Sequence, residues 1–230
     1  MEIPSMFDQI SRKYDIANRV LSLGLDTLWR KKALKEAFKH LPAKKIDMLD
    51  IACGTGDMLT TAKEIFKDRL NLGVGLDPSL KMVERAKSKC RNLNFHLVLG
   101  TAENLPFKGN SFDLITVAFG VRNFKNRQKG LKEIYRTLKE GGILTILEFS
   151  PPSNGNFLEK LSWFYTKRIV PLLGGVITGN KEAYSYLSNS IERFPTSENL
   201  SKELKHIGFR VLVVKKLFPP ITVLYVGRKN

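Results

Sequence analysis

Between residues 5 and 40 the apolar positions fall three and four apart: Met6, Phe7, Ile10 and Tyr14, then Leu28, Trp29, Ala33, Leu34 and Ala37. That spacing predicts helices. Between the two sets, Gly24 is placed to end one helix and Asp26 to cap the next. From residue 45 to 149 strand and helix patterns alternate. Ile46, Met48, Leu49 and Ile51 form an apolar run of the kind found in a parallel strand buried on both faces. Met58, Leu59 and Ala62 follow as the inner side of a helix starting near Thr55. Leu72 to Leu76 is a second strand. A helix opening at Pro78-Ser79 carries Leu80, Val83, Ala86 and Cys90 on one side, and Asn94 to Leu99 is a third strand. Leu105-Pro106-Phe107 leads through a Lys108-Gly109-Asn110 turn into Phe112 to Ala118, whose unbroken apolar character marks a central strand. Leu131, Ile134, Tyr135 and Leu138 define a helix from about Arg127 to Lys139, which Gly141-Gly142 is placed to stop. Ile143 to Phe149 is a fifth strand.

Pro151 and Pro152 break this rhythm. An aromatic, apolar and basic stretch follows: Phe157, Leu158, Leu161, Phe164, Tyr165 and Ile169 beside Lys160, Lys167 and Arg168, then Leu172 to Ile177, Tyr184 and Tyr186. It reads equally as a helical subdomain packed on the sheet and as a greasy cover that touches a membrane. Ser197 to Gly208 is a helix capped by Ser197. Val211 to Lys216 and Ile221 to Gly227 form a terminal antiparallel pair. The rhythm describes one α/β domain with a parallel sheet and right-handed crossovers. Its parts are an N-terminal helical lid (1–40), a core (41–150), a helical insertion (151–195) and a C-terminal helix with strands (196–230).

Composition narrows the class. A chain of 230 residues with 43% hydrophobic content can bury a full core. No apolar run is long enough to span a bilayer. The start, Met1-Glu2-Ile3-Pro4-Ser5, lacks a secretory pattern, and Cys53 and Cys90 offer neither a disulfide framework nor metal-ligand spacing. A cytoplasmic protein without a metal is expected. The net charge of +16 points to nucleic acid, to an anionic membrane surface, or to no more than solubility.

The chemistry centres on Leu49-Asp50-Ile51-Ala52-Cys53-Gly54-Thr55-Gly56-Asp57. A glycine loop running from a strand into a helix, at the carboxyl end of a parallel sheet, is a nucleotide site. The dinucleotide fingerprint wants a third glycine where Leu59 stands, and no Gly-Lys-Ser/Thr follows. Asp50 and Asp57 suit a ligand that carries cations, and S-adenosylmethionine (SAM) has a sulfonium and an ammonium. Asp77, about 20 residues past the glycines, is placed to accept from ribose hydroxyls. Here the chain resembles the class I SAM-dependent methyltransferases.

Further motifs resemble the quinone C-methyltransferases of menaquinone and ubiquinone biosynthesis, over nearly the whole chain. Phe7, Lys13-Tyr14-Asp15, Asn18, Ser22, Gly24 and Trp29 match one signature. Phe119-Gly120-Val121-Arg122-Asn123-Phe124, Tyr135 to Gly142 and Leu147-Glu148-Phe149-Ser150 match a second, and Tyr184-Ser185-Tyr186-Leu187 with Arg193-Phe194-Pro195 matches the tail. The resemblance implies a Rossmann-like class I fold and SAM-dependent methylation of a polyprenyl quinol ring, naphthoquinol or benzoquinol. It implies a cytoplasmic enzyme docked peripherally on anionic membrane, and it leaves a homodimer open. It assigns SAM to Asp50, Gly54, Thr55, Gly56, Asp77, Thr101, Ala102 and Ala118.

The reaction needs a proton acceptor and a stabiliser of the ring oxyanion. Arg122 is the candidate stabiliser, with an ion pair to Glu148 as its structural alternative. Tyr14 and Asn123 are candidates for positioning the hydroxyl. Departures from the family pattern are Ala17, Asp26, Thr101, Ala118 and Glu140. At Thr101 a carboxylate would accept from the adenine amino group, so Thr101 Oγ or nearby backbone must serve. An RNA methyltransferase is the competing reading, given the charge. The Asn/Asp-Pro-Pro-aromatic motif of amino-methylases is missing, however, because Gly120-Val121-Arg122-Asn123 occupies its place. A SAM-binding regulator without catalysis is the third reading.

Overall fold

The structure, a computed structural model, describes residues 3–93, 95–152 and 157–230. The strand start expected at Asn94 and the leader reading at Met1 and Glu2 lie outside the described residues. A seven-stranded sheet with order β3-β2-β1-β4-β5-β7-β6 carries helices on both faces. Its strands are β1 (Ile46–Ile51), β2 (Leu70–Asp77), β3 (His96–Leu99), β4 (Phe112–Ala118), β5 (Leu138–Phe149), β6 (Phe209–Leu217) and β7 (Thr222–Lys229). β1 to β5 pair in parallel, and β7 runs antiparallel between β5 and β6. The terminal pair is therefore present, with the last strand inserted inward. β1 and β4 are apolar because both sheet faces are covered: Leu49, Ile51, Ile115 and Val117 face one cluster, and Met48 and Leu114 face the other.

The helices α1 (Ile3–Ile10), α2 (Tyr14–Leu21) and α3 (Leu25–Phe38) precede the sheet. Gly24, at φ +77°, closes α2 by donating its N–H to the Arg19 carbonyl at 2.8 Å. Asp26 does not cap α3. It lies buried inside the first turn, where its carboxylate pairs with Arg30 at 2.7 Å and Arg19 at 3.1 Å. Three more local expectations change. α4 (Asp57–Phe66) starts two residues after Thr55, once the chain has left the left-handed Gly56. α5 (Leu80–Lys89) is capped by Ser79, and Leu80 faces solvent while Met82 takes the inner position. α6 (Arg127–Thr137) ends before the glycines: Leu138 is already extended and pairs with Phe112, so Gly141-Gly142 lies in the irregular entry to β5.

The segment after β5 forms α7 (Phe157–Phe164), a π-helical turn at Tyr165–Ile169, α8 (Val170–Thr178) and α9 (Lys181–Glu192). α10 (Ser197–Ile207) is capped by the Thr196 side chain, which accepts from the Asn199 N–H, and not by Ser197. Met6, Ile10, Ala17 and Leu21 pack against Val170, Ala183 and Tyr184, so the N-terminal helices and this late segment share a small core of their own.

Candidate active site

The loops leaving the carboxyl ends of β1, β2 and β4 converge beneath α1 and the start of α2. Between them lies a cavity of about 780 Å³, its open mouth included, which is the size of a ligand site. Past β1 the chain reverses through Ala52 (φ +54°), Gly54 (φ +54°) and Gly56 (φ +89°). Past β4, Phe119 stands at φ +58°. A Cβ on Gly120 would come 2.5 Å from the Ala52 Cβ, so only glycine lets these two loops close on each other. Left-handed backbone at the non-glycine residues Ala52 and Phe119 costs about 1–3 kcal/mol each. Both residues line the cavity, so these two strained positions sit where a ligand would bind.

Asp77 at the end of β2 is 6% exposed and borders the cavity. Its Oδ2 accepts from the Gly54 N–H and its Oδ1 from the Ser79 N–H, both at 2.9 Å. Each oxygen keeps acceptor capacity for a further donor. Burial raises its pKa to about 6 against the pull of the two backbone hydrogen bonds, so it is ionised at neutral pH. A charged carboxylate with spare lone pairs in a cavity fits ribose hydroxyls. Pro78, Met82, Thr101 and Ala102 continue the same wall, and their small or apolar side chains fit a flat adenine. The residues present therefore fit SAM.

Gly54, Asp77, Thr101, Ala102, Ala118, Tyr14 and Asn123 border the cavity together. Asp50, Thr55, Gly56 and Arg122 are set back from it. Asp50 is buried, accepts from Thr116 Oγ1 at 2.6 Å, and is raised by burial to a pKa of about 7. Asp57 is occupied as well: burial pushes its carboxyl up, but Arg30 and Lys89 outweigh this and hold it below the usual value. Thr55 Oγ1 donates to Asp15 at 2.6 Å.

Arg122 and Glu148 form a buried pair at 2.5 Å, with the Glu148 side chain 0% exposed. Arg122 Nη1 also donates to the Phe119 carbonyl at 2.6 Å. Its Nε is buried and meets no acceptor among the described residues. Asn123, the next residue, faces the cavity and accepts from the Tyr186 hydroxyl at 3.1 Å. Tyr14 is half-buried at the cavity wall. Burial raises its pKa despite the Asn18 hydrogen bond and nearby Arg122, so it stays a neutral phenol.

Motif reasoning missed the ties that hold α1 and α2 over the loops. Asp8 accepts from Ser79 Oγ at 2.5 Å and from the Lys81 N–H at 3.2 Å. Lys89 reaches Asp15 and Asp57, each at 2.6 Å. Asp15 falls inside the Lys13-Tyr14-Asp15 match, but nothing in the sequence couples it to Lys89 or couples Asp8 to Ser79.

Over residues 1–229 the chain matches the ubiE/COQ5 methyltransferase family. It is 41% identical to the ubiquinone/menaquinone biosynthesis C-methyltransferase UbiE of Campylobacter jejuni serotype O:6, over 99% of this chain and 97% of that protein. It is 41% identical to the demethylmenaquinone methyltransferase of Thermotoga maritima, over 96% of this chain and 93% of that protein. Among solved structures it resembles a SAM-dependent methyltransferase from Thermotoga maritima, described as a possible histamine N-methyltransferase. That match has TM-score 0.68 and 23% identity and covers 98% of this chain and 99% of that one. The CurJ carbon methyltransferase matches at TM-score 0.68 and 18% identity, over 95% of this chain and 58% of that one. At such identities these structures speak to fold alone, which is that of class I SAM-dependent methyltransferases.

Proposed function

We propose, from the premise that this chain belongs to the ubiE/COQ5 methyltransferase family, that it methylates a ring carbon of a prenylated quinol. The full-length likeness to relatives named for menaquinone and ubiquinone biosynthesis carries this reading. SAM, when bound, supplies the methyl group. Asp77 holds its ribose, Thr101 and Ala102 border its adenine, and Gly54 lets the backbone approach it. Tyr14, as a neutral phenol, hydrogen-bonds the ring hydroxyl. Arg122 steadies the ring oxyanion from behind the cavity wall, through a guanidinium N–H that Glu148 and the Phe119 carbonyl leave unused. Glu148 cancels its net charge, so Arg122 serves as a directed donor more than as a free cation. α1 and α2 act as a lid, and the 151–195 segment as a substrate cover.

The same reading includes peripheral docking on anionic membrane. Exposed apolar side chains run from Phe157 (77%) through Leu161, Phe164 and Leu172 to Val176 (84%), and Ile16 and Val20 of α2 and Leu23 in the turn after it are exposed as well. α2 packs on α8. Lys160 and Arg168 are exposed beside the apolar positions, which suits headgroup phosphates. Among the described residues no helix is long and apolar enough to cross a membrane.

The deciding experiment supplies SAM with each reduced demethylquinone and follows product mass. One of the two quinols should gain a methyl group. Label passing from SAM into RNA, and none into either quinol, would overturn the reading.

A further inference from the structure

We infer that Tyr186, on the insertion helix α9, is a positioning residue that aims the Asn123 carboxamide so that its Nδ2 donates into the cavity. The inference rests on the quinol reading above and adds a residue and a direction to it. The Tyr186 hydroxyl and Asn123 Oδ1 are 3.1 Å apart. Here the phenol donates and the carboxamide oxygen accepts, so the phenol proton is satisfied and both Nδ2 hydrogens are left free of Tyr186. Burial, ahead of the opposing pull of nearby Arg122, raises the Tyr186 pKa, which keeps that proton in place.

The consequence falls on the other end of the amide. Among the described residues no acceptor takes the Nδ2 hydrogens, and Asn123 is part of the cavity wall. It is flanked by Gly120 and Phe124, which also line the cavity. An amide whose oxygen is tied back presents only donors forward. A donor there strengthens its bond as the ring oxygen gains negative charge, which is the differential binding that lowers a barrier. A freely rotating amide would spend part of its time presenting Oδ1, an acceptor that repels the same oxygen.

Tyr186→Phe removes one hydroxyl and leaves the ring in place. It should lower kcat by about 3- to 10-fold, the worth of one neutral hydrogen bond, with SAM affinity unchanged. The rise of kcat with pH should move to higher pH, because the acceptor hydroxyl loses its aimed donor. In an Asn123→Ala background the same change should cost nothing further. Additive losses, or an unmoved pH profile, would overturn the inference. A readout free of the quinol is the Asn123 side-chain amide signal in 15N spectra, assigned by its loss in Asn123→Ala. Tyr186→Phe should mobilise that amide, and an unchanged signal would equally overturn the inference. If the wild-type protein methylates neither quinol, the reaction assignment falls and the amide signal still decides the role of Tyr186.

Discussion

The cavity has two walls of different make. The sheet wall is backbone geometry: left-handed Ala52, Gly54 and Phe119, with a carboxylate held by two N–H groups. The helical wall is side chains: Ile3, Pro4, Phe7 and Tyr14, moored by Asp8 and Asp15 to Ser79, Thr55 and Lys89. The first wall is fixed by strands buried on both faces and cannot move without unfolding the sheet. The second packs on the late helices through a small apolar core and is tied to the loops by hydroxyl–carboxylate bonds and part-exposed ion pairs, the latter worth about 0–1 kcal/mol each. On the function proposed above, cofactor recognition falls to the rigid wall, and entry, exit and acceptor handling fall to the other.

Removing the rigid wall's central group should have the largest effect. If Asp77 holds the ribose, Asp77→Ala deletes two charge-assisted hydrogen bonds to it, each about 1.5–3 kcal/mol, and it leaves the Gly54 and Ser79 N–H groups without their acceptor. Calorimetry should show SAM affinity lowered by at least 100-fold. Undiminished binding would mean that ribose recognition lies elsewhere.

Arg122 tests whether a group behind the wall takes part in chemistry. Arg122→Ala strands a buried Glu148 and should destabilise the fold by about 3–5 kcal/mol, which alone would confuse activity with folding. Arg122→Met combined with Glu148→Leu replaces the pair by apolar side chains and should restore thermal stability. If Arg122 donates to the oxyanion, the double variant should fold, bind SAM and still lose about 10²–10³ in kcat. A folded double variant with normal turnover would reduce the pair to a structural bond.

Much of the sheet wall was legible in the sequence. The apolar runs of β1 and β4 and the glycines after β1 state directly that backbone is buried and then reversed, and Asp77 follows at the end of the next strand. Capping was less legible. Asp26 and Ser197 are good cap residues by type, yet Gly24 and Thr196 occupy those positions, because the chain direction entering each helix is decided by packing. Gly141-Gly142 misled for a related reason: the helix had already ended at Leu138, whose pairing with Phe112 begins β5. The helical wall was least legible, since Asp8, Asp15 and Lys89 are distant in sequence and no local pattern couples them. The exposure of α7 and α8 was left open by the sequence, whose apolar and basic pattern fits a packed subdomain and a membrane-facing cover equally, and Phe157 and Val176 are mostly exposed.

Proton linkage separates the walls more gently. The Asp77 pKa is raised to about 6 by burial, above the unfolded carboxylate value. Its contribution to stability is therefore present at low pH and lost as pH rises through about 6. Asp50, raised to about 7, acts in the same direction, so the ligand-free protein should lose stability between about pH 4 and pH 7. SAM binding runs the opposite way. Ribose donors favour the charged carboxylate, so affinity should weaken by about tenfold per unit below pH 6. Asp77→Asn should flatten that affinity profile. A wild-type dissociation constant independent of pH between 5 and 7 would show that Asp77 does not exchange a proton on binding.

The smallest effect is expected on the outer surface of the helical region, where a side chain can be removed without touching the fold. Val176 is 84% exposed, so Val176→Ser should change folding stability by no more than about 0.5 kcal/mol. If α8 lies in the lipid interface with this side chain half immersed, the loss is about 1 kcal/mol of partitioning, or roughly fivefold in co-sedimentation with anionic liposomes. Lys160→Gln and Arg168→Gln should each weaken the same binding by about 1 kcal/mol, and added salt should reduce that electrostatic share while leaving the apolar one. Turnover of a long-tailed quinol should fall with partitioning, and that of a short-tailed soluble analogue should not. Equal loss on both substrates would place the exposed ridge outside acceptor delivery. A shift in oligomeric state with no change on liposomes would assign the ridge to a second copy of the chain.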